Sequence, residues 1–148
     1  MPYAPKVSRT PFDPSRKRHK APRPSSMDRG YDYAWQKMSI SMRSRWPHCV
    51  LCLCRGNFRA AAETVADHIV PHRISPTTLR LEWTNLQTLC RKCHDKDKRR
   101  AELDGLLQAV SDRWFGLLRE EIKISKVNLA IVRNLVPDHI KERLSDAR

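Results

Sequence analysis

The stretch that decides the fold opens with Cys49-Val50-Leu51-Cys52 and closes with Cys90-Arg91-Lys92-Cys93-His94. Two Cys-x-x-Cys pairs, 37 residues apart, supply four soft ligands in two pairs, the arrangement that structural zinc prefers. That gap is longer than an ordinary zinc ribbon allows, so a whole structural unit has to fit between the two knuckles. Two redox disulfides are the competing reading of the same spacing. The chain holds five cysteines, an odd number that a pure disulfide framework disfavours, and metal thiolates imply a reducing compartment. Cys54 is left over and is expected to have no ligand role. Between the knuckles lie an Asp67-His68 pair and Asn85, and His94 follows the last cysteine directly. Four thiolates close one tetrahedral site, which leaves Asp67, His68 and His94 free for other chemistry.

Working outward, 148 residues suit one domain with extensions. The formal net charge is +13, and residues 1–100 account for all of it, because 101–148 hold equal numbers of basic and acidic side chains. A positive field concentrated in this way attracts polyanions, of which nucleic acid is the commonest, with a ribosome-associated or merely soluble basic protein as the plainer reading. No run approaches the ~20 apolar residues that span a bilayer. No apolar signal segment opens the chain, so a cytoplasmic, nucleoid-associated location without a membrane partner is expected.

Residues 1–30 carry six of the ten prolines, with Arg16-Lys17-Arg18-His19-Lys20 among them. They are expected to form a disordered basic arm, lying along DNA phosphates or serving as a solubilising tail. Residues 32–46 predict a short helix whose Trp35, Met38 and Met42 pack on the zinc module. Residues 63–70 read as a strand ending at Pro71, 81–89 as a second extended segment, and Cys90 to about Arg100 as a helix opened by the second knuckle. The expected order is thus strand, loop, strand, helix. Beyond residue 100, Leu103, Leu107, Val110, Trp114 and Leu117 form one apolar seam. Val127, Ile131 and Leu135 form a second, and Ile140 and Leu144 belong to a short final segment. These helices pack on each other or on the core, or else present a dimerisation or partner-docking hairpin.

The runs Asp67-His68-Ile69-Val70-Pro71-His72 and Trp83-Thr84-Asn85-Leu86-Gln87-Thr88-Leu89-Cys90-Arg91-Lys92-Cys93-His94-Asp95 resemble the HNH endonucleases, in the subgroup braced by a four-cysteine zinc. The resemblance covers about residues 45–100. It implies a small α+β fold: a ββα-metal (His-Me finger) core at 31–100, stapled by zinc on Cys49, Cys52, Cys90 and Cys93, with a helical extension at 101–148. It further implies that His68 is the general base, that Asn85 orients the loop, and that Asp67 and His94 hold one catalytic divalent cation such as Mg²⁺ or Mn²⁺. Double-stranded DNA is the implied substrate. A phage or prophage setting with a packaging terminase as partner is what the resemblance suggests, and a homodimer would use the C-terminal helices. His72 assists with phosphate or metal, or is a bystander. Lys96, Lys98, Arg99 and Arg100 contact phosphate or form a solvated helix face. A zinc-dependent DNA-binding or packaging adaptor without turnover is the competing function.

Overall fold

The computed structural model describes residues 21–60, 62–72, 79–103 and 109–145. The expected basic arm lies largely outside them, as do Leu107 and the loop at Pro76. Helix α1 spans Tyr33–Arg45 and starts where the Asp32 carboxylate accepts the Trp35 N–H at 3.0 Å, an N-cap that satisfies one of the open amides of the first turn. It ends before Pro47. Helix α2, Val50–Cys54, is the first knuckle, and Gly56 (φ 79°) turns the chain out of it with its N–H on the Leu53 carbonyl.

Strand β1, Thr64–His68, pairs antiparallel with β2, Leu86–Cys90, in the register Asp67↔Gln87 and His68↔Leu86. A single 3₁₀ turn, Trp83–Asn85, delivers the chain into β2, where a longer extended run was expected. After β2 the chain winds through a π-helical segment, Cys93–Lys98, into helix α3, Arg99–Leu103. Helices α4 (Ala109–Ser125), α5 (Leu129–Asn134) and α6 (Asp138–Ser145) complete the fold, a small α+β arrangement with a two-stranded sheet.

Side chains alternate across a strand, so this sheet has two faces with different neighbours. On one face Trp35 and Met42 of α1 pack with Leu86 and Ala66. Trp35 and Met42, with Met38 partly buried beside them, therefore cover the sheet that lies between the two cysteine pairs, which is the part of the zinc module on which this helix packs. The other face, with Leu89 and Val65, joins a larger core of Leu51, Leu53, Trp114, Phe115, Leu118 and Val132. Helices α4 to α6 thus share one core with the cysteine knuckles.

Two expectations for the C-terminal helices change. The second apolar stripe changes at its middle member: Val127 and Leu135 pack partly buried against the core, but Ile131 is 46% exposed and Val132 and Val136 are the buried residues. The apolar faces of α4 and α6 are also used inside the chain, so homodimerisation loses the surface on which it was expected. Nor does the structure leave the arm free up to residue 30. Ser25 to Tyr31 form hydrogen-bonded turns, and Gly30 (φ 83°) lies so close to Arg80 that a Cβ would meet its Cδ at 3.0 Å. Among the described residues no helix is long and apolar enough to cross a membrane.

Candidate metal centres and cleft

The Cys49, Cys52, Cys90 and Cys93 sulfurs lie within 4.8 Å of one another, with Cys52 Sγ 3.9 Å from Cys90 Sγ and 3.8 Å from Cys93 Sγ. A tetrahedron of ~2.3 Å zinc–sulfur bonds has sulfur–sulfur edges of about 3.8 Å, so this set could bind a structural zinc. Crowding splits the ionisations of these thiols. The hydrogen bond from Cys93 brings Cys49 down to about 5, and burial pushes Cys52 up to about 12. Cys54 is wholly buried outside the cluster, and burial pushes its thiol up to about 12, which makes it an inert packing residue.

A cleft of ≈ 910 Å³ has Asp67, His68, His72, Arg80, His94 and Arg99 among the residues that line it. His68 ends β1, 6% exposed, with its ring stacked on Trp35 at 4.3 Å between centroids. The His68 Nε2–H donates to the Arg80 carbonyl at 2.8 Å. A carbonyl can only accept, so Nδ1 is the nitrogen left with a lone pair. Burial pushes this imidazole below its ordinary value and keeps it neutral.

Asp67, one residue earlier on β1, faces the other way. Its Oδ2 accepts from Gln87 Nε2 at 3.0 Å and lies 3.6 Å from Lys98 Nζ, and its Oδ1 lies 3.6 Å from His94 Nε2. The His94 Nδ1–H donates to Asp95 Oδ1 at 2.7 Å, which frees Nε2 as a lone-pair donor. An imidazole whose second nitrogen rests on a carboxylate is the usual environment of a metal-bound histidine, so Asp67 Oδ1 and His94 Nε2 fit one divalent cation.

Asn85 holds the loop that follows β1. Its Oδ1 accepts the Val70 N–H at 2.9 Å, while Nδ2 donates to the carbonyls of Val70 and Leu79 at 2.9 and 3.2 Å. The His72 Nε2–H donates to the Arg29 carbonyl at 3.0 Å, and its ring lies 4.9 Å from that of His68.

Of the four basic side chains after His94, Lys96, Arg99 and Arg100 are exposed, and Arg99 lines the cleft. Lys98 departs from the expected surface role. It is 1% exposed, with its ammonium 2.6 Å from Glu102 and above the Trp114 ring, because a buried lysine requires partners for its charge.

Four residues were given no role at the site by the sequence reading: Arg80, Gln87, Asp95 and Trp114. Arg80 supplies the His68 acceptor, and its guanidinium binds the Gly30 carbonyl and Asp32, which holds the Asp32 carboxyl below its ordinary range. Asp95 carried a usable signal, a carboxylate adjacent to a candidate metal histidine. Gln87 and Trp114 carried none, since only the strand register and the packing of α4 bring them to Asp67. No curated protein and no solved structure matches the chain. Residues 49–100, the span that holds the clustered cysteines, match the family model described as HNH endonuclease.

Proposed function

We propose that the protein is a metal-dependent endonuclease that hydrolyses DNA phosphodiester bonds. The observation that carries this reading is the convergence of Asp67, His68 and His94 on one cleft inside the span matched to the HNH family. His68 accepts a proton at Nδ1 from the water that attacks phosphorus, while the Arg80 carbonyl, Trp35 and the Asn85-held loop fix its ring. The P–O3′ bond breaks, leaving a 5′ phosphate and, once the leaving oxygen is protonated, a 3′ hydroxyl. Asp67 Oδ1 and His94 Nε2 hold a divalent ion, Mg²⁺ or Mn²⁺, which when bound neutralises charge on the phosphate and the leaving oxygen. The four cysteines hold a structural zinc. Arg29 and Arg99 in the lining of the cleft, with the +13 net charge, suit a phosphate backbone.

The resemblance alone supports a phage packaging setting with a terminase partner. The charge serves a non-catalytic DNA-binding module equally well, and a plasmid assay separates the two. Wild-type protein is expected to nick plasmid DNA in Mg²⁺ or Mn²⁺, and His68→Ala to lose at least about 100-fold in rate while retaining DNA binding. Undiminished cleavage by His68→Ala would refute the mechanism. Steeply salt-dependent binding without cleavage in any divalent metal would establish the adaptor instead.

A further inference from the structure

Gln87 lies wholly buried between a carboxylate and an indole. Its Nε2 donates to Asp67 Oδ2 at 3.0 Å, and its Oε1 accepts from Trp114 Nε1 at 2.8 Å. An indole N–H can only donate and an ionised carboxylate can only accept, so the amide has one permitted orientation. Turned over, it would set N–H against N–H at one end and oxygen against oxygen at the other. Trp114 is itself wholly buried in α4, packed in the main core with Phe115 and Leu118. The core therefore fixes the indole, the indole fixes the amide, and the amide fixes one oxygen of Asp67. The other oxygen, Oδ1, is left beside His94 Nε2.

We propose that Trp114 and Gln87 are positioning residues for the divalent ion, acting through a Trp114–Gln87–Asp67 hydrogen-bond chain that holds Asp67 Oδ1 toward His94. The proposal rests on the reading of Asp67 and His94 as ligands given above. It makes α4, which lies outside residues 49–100, a working part of the site. Lys98, 3.6 Å from the same Oδ2, holds that oxygen inward electrostatically but does not dictate the orientation of the amide.

The test uses full-length, zinc-loaded protein and measures Mn²⁺ binding by the electron paramagnetic resonance signal of the free ion. The Mn²⁺ concentration that half-saturates plasmid nicking is measured alongside. Trp114→Phe keeps one aromatic ring in the core and removes the pyrrole ring with its N–H, and Gln87→Met keeps the length and removes both hydrogen bonds. Asp67→Ala assigns the binding to the site, and Leu118→Ala makes a cavity in the same core without touching the chain of bonds. Trp114→Phe and Gln87→Met are each expected to weaken Mn²⁺ binding about 10- to 100-fold, with the half-saturating Mn²⁺ for nicking rising in step and metal-free DNA binding unchanged. Leu118→Ala is expected to melt at a lower temperature with Mn²⁺ binding unaltered.

The proposal is overturned if both variants bind Mn²⁺ as wild type does, if they lose no more than Leu118→Ala, or if Asp67→Ala leaves binding intact. Weakened Mn²⁺ binding in a protein that cuts no DNA would uphold the positioning chain and remove the nuclease reading. Nicking with Mn²⁺ binding unmoved in the variants would do the reverse.

Discussion

Three hydrogen bonds leave the Asn85 side chain, and all three end on backbone of the loop after β1. Its amide is 6% exposed, so these partners have little water to fall back on. Asn85→Asp keeps the shape but turns a donor into an acceptor facing the carbonyls of Val70 and Leu79. We expect a loss of about 2 kcal/mol of stability in denaturant unfolding, from the unsatisfied buried carbonyls and the repulsion between them. Nicking should fall at least 10-fold as the loop that carries the Arg80 carbonyl loosens its hold on His68. A variant with wild-type unfolding and nicking would show that the loop holds itself. The place of Asn85 at the site was legible in the order of residues along the chain, because the motif carries it. The burial of Lys98 was not, since a run of charge looks the same in sequence whether its members face water or Glu102.

The same limit applies to whole elements. The helix at 33–45 and the two strands followed from apolar spacing and the position of proline, but which surface of the zinc module α1 covers did not. Periodicity reports that a face is apolar, and it does not say which surface covers that face. Ile131 of α5 was misplaced for a related reason, while Val127 and Leu135 do pack against the core. Asn128 caps that helix by accepting the Ala130 N–H at 2.9 Å, so the turn starts there, and Val132 and Val136 point inward. Helix α6 reaches β2 through His139, whose Nε2–H donates to the Leu86 carbonyl at 2.8 Å. Burial pushes its imidazole below the ordinary value, outweighing that carbonyl and the acidic neighbours Asp138 and Glu142. With the folded value below the unfolded one, the unfolded chain binds the proton more readily. The resulting stability is complete above about pH 6.5 and is lost as pH falls through the folded value. Melting temperatures between pH 7 and 5 should therefore fall less steeply for His139→Gln than for wild type, with His68 sustaining part of the slope. Parallel melting curves would place the acid sensitivity elsewhere.

At the scale of the molecule, the charge boundary near residue 100 reads in sequence as a domain boundary, yet the apolar core crosses it without a break. Truncation after Glu102 would remove Trp114, Phe115, Leu118, Val132, Ile140 and Leu144 from that core. At about 1.5–3 kcal/mol for each fully buried side chain, the loss is comparable with the whole stability of a small domain, about 5–15 kcal/mol. The truncated chain is expected to be insoluble, or to lack a cooperative melting transition even with zinc. A truncated protein that melts cooperatively and binds zinc would show that residues 49–100 fold without the helices.

Asp67 and His68 are neighbours in one strand, and a strand turns neighbours to opposite sides. His68 answers to Trp35 and to the Arg80 carbonyl, while Asp67 answers to Gln87 and, through it, to α4. Inheritance can then act on the two halves of the site separately. Substitutions in α1 would retune the base and spare the ion, and substitutions in α4 would alter ion preference and spare the base. A lineage carrying this strand could change the metal it works with while its proton acceptor stays as it was.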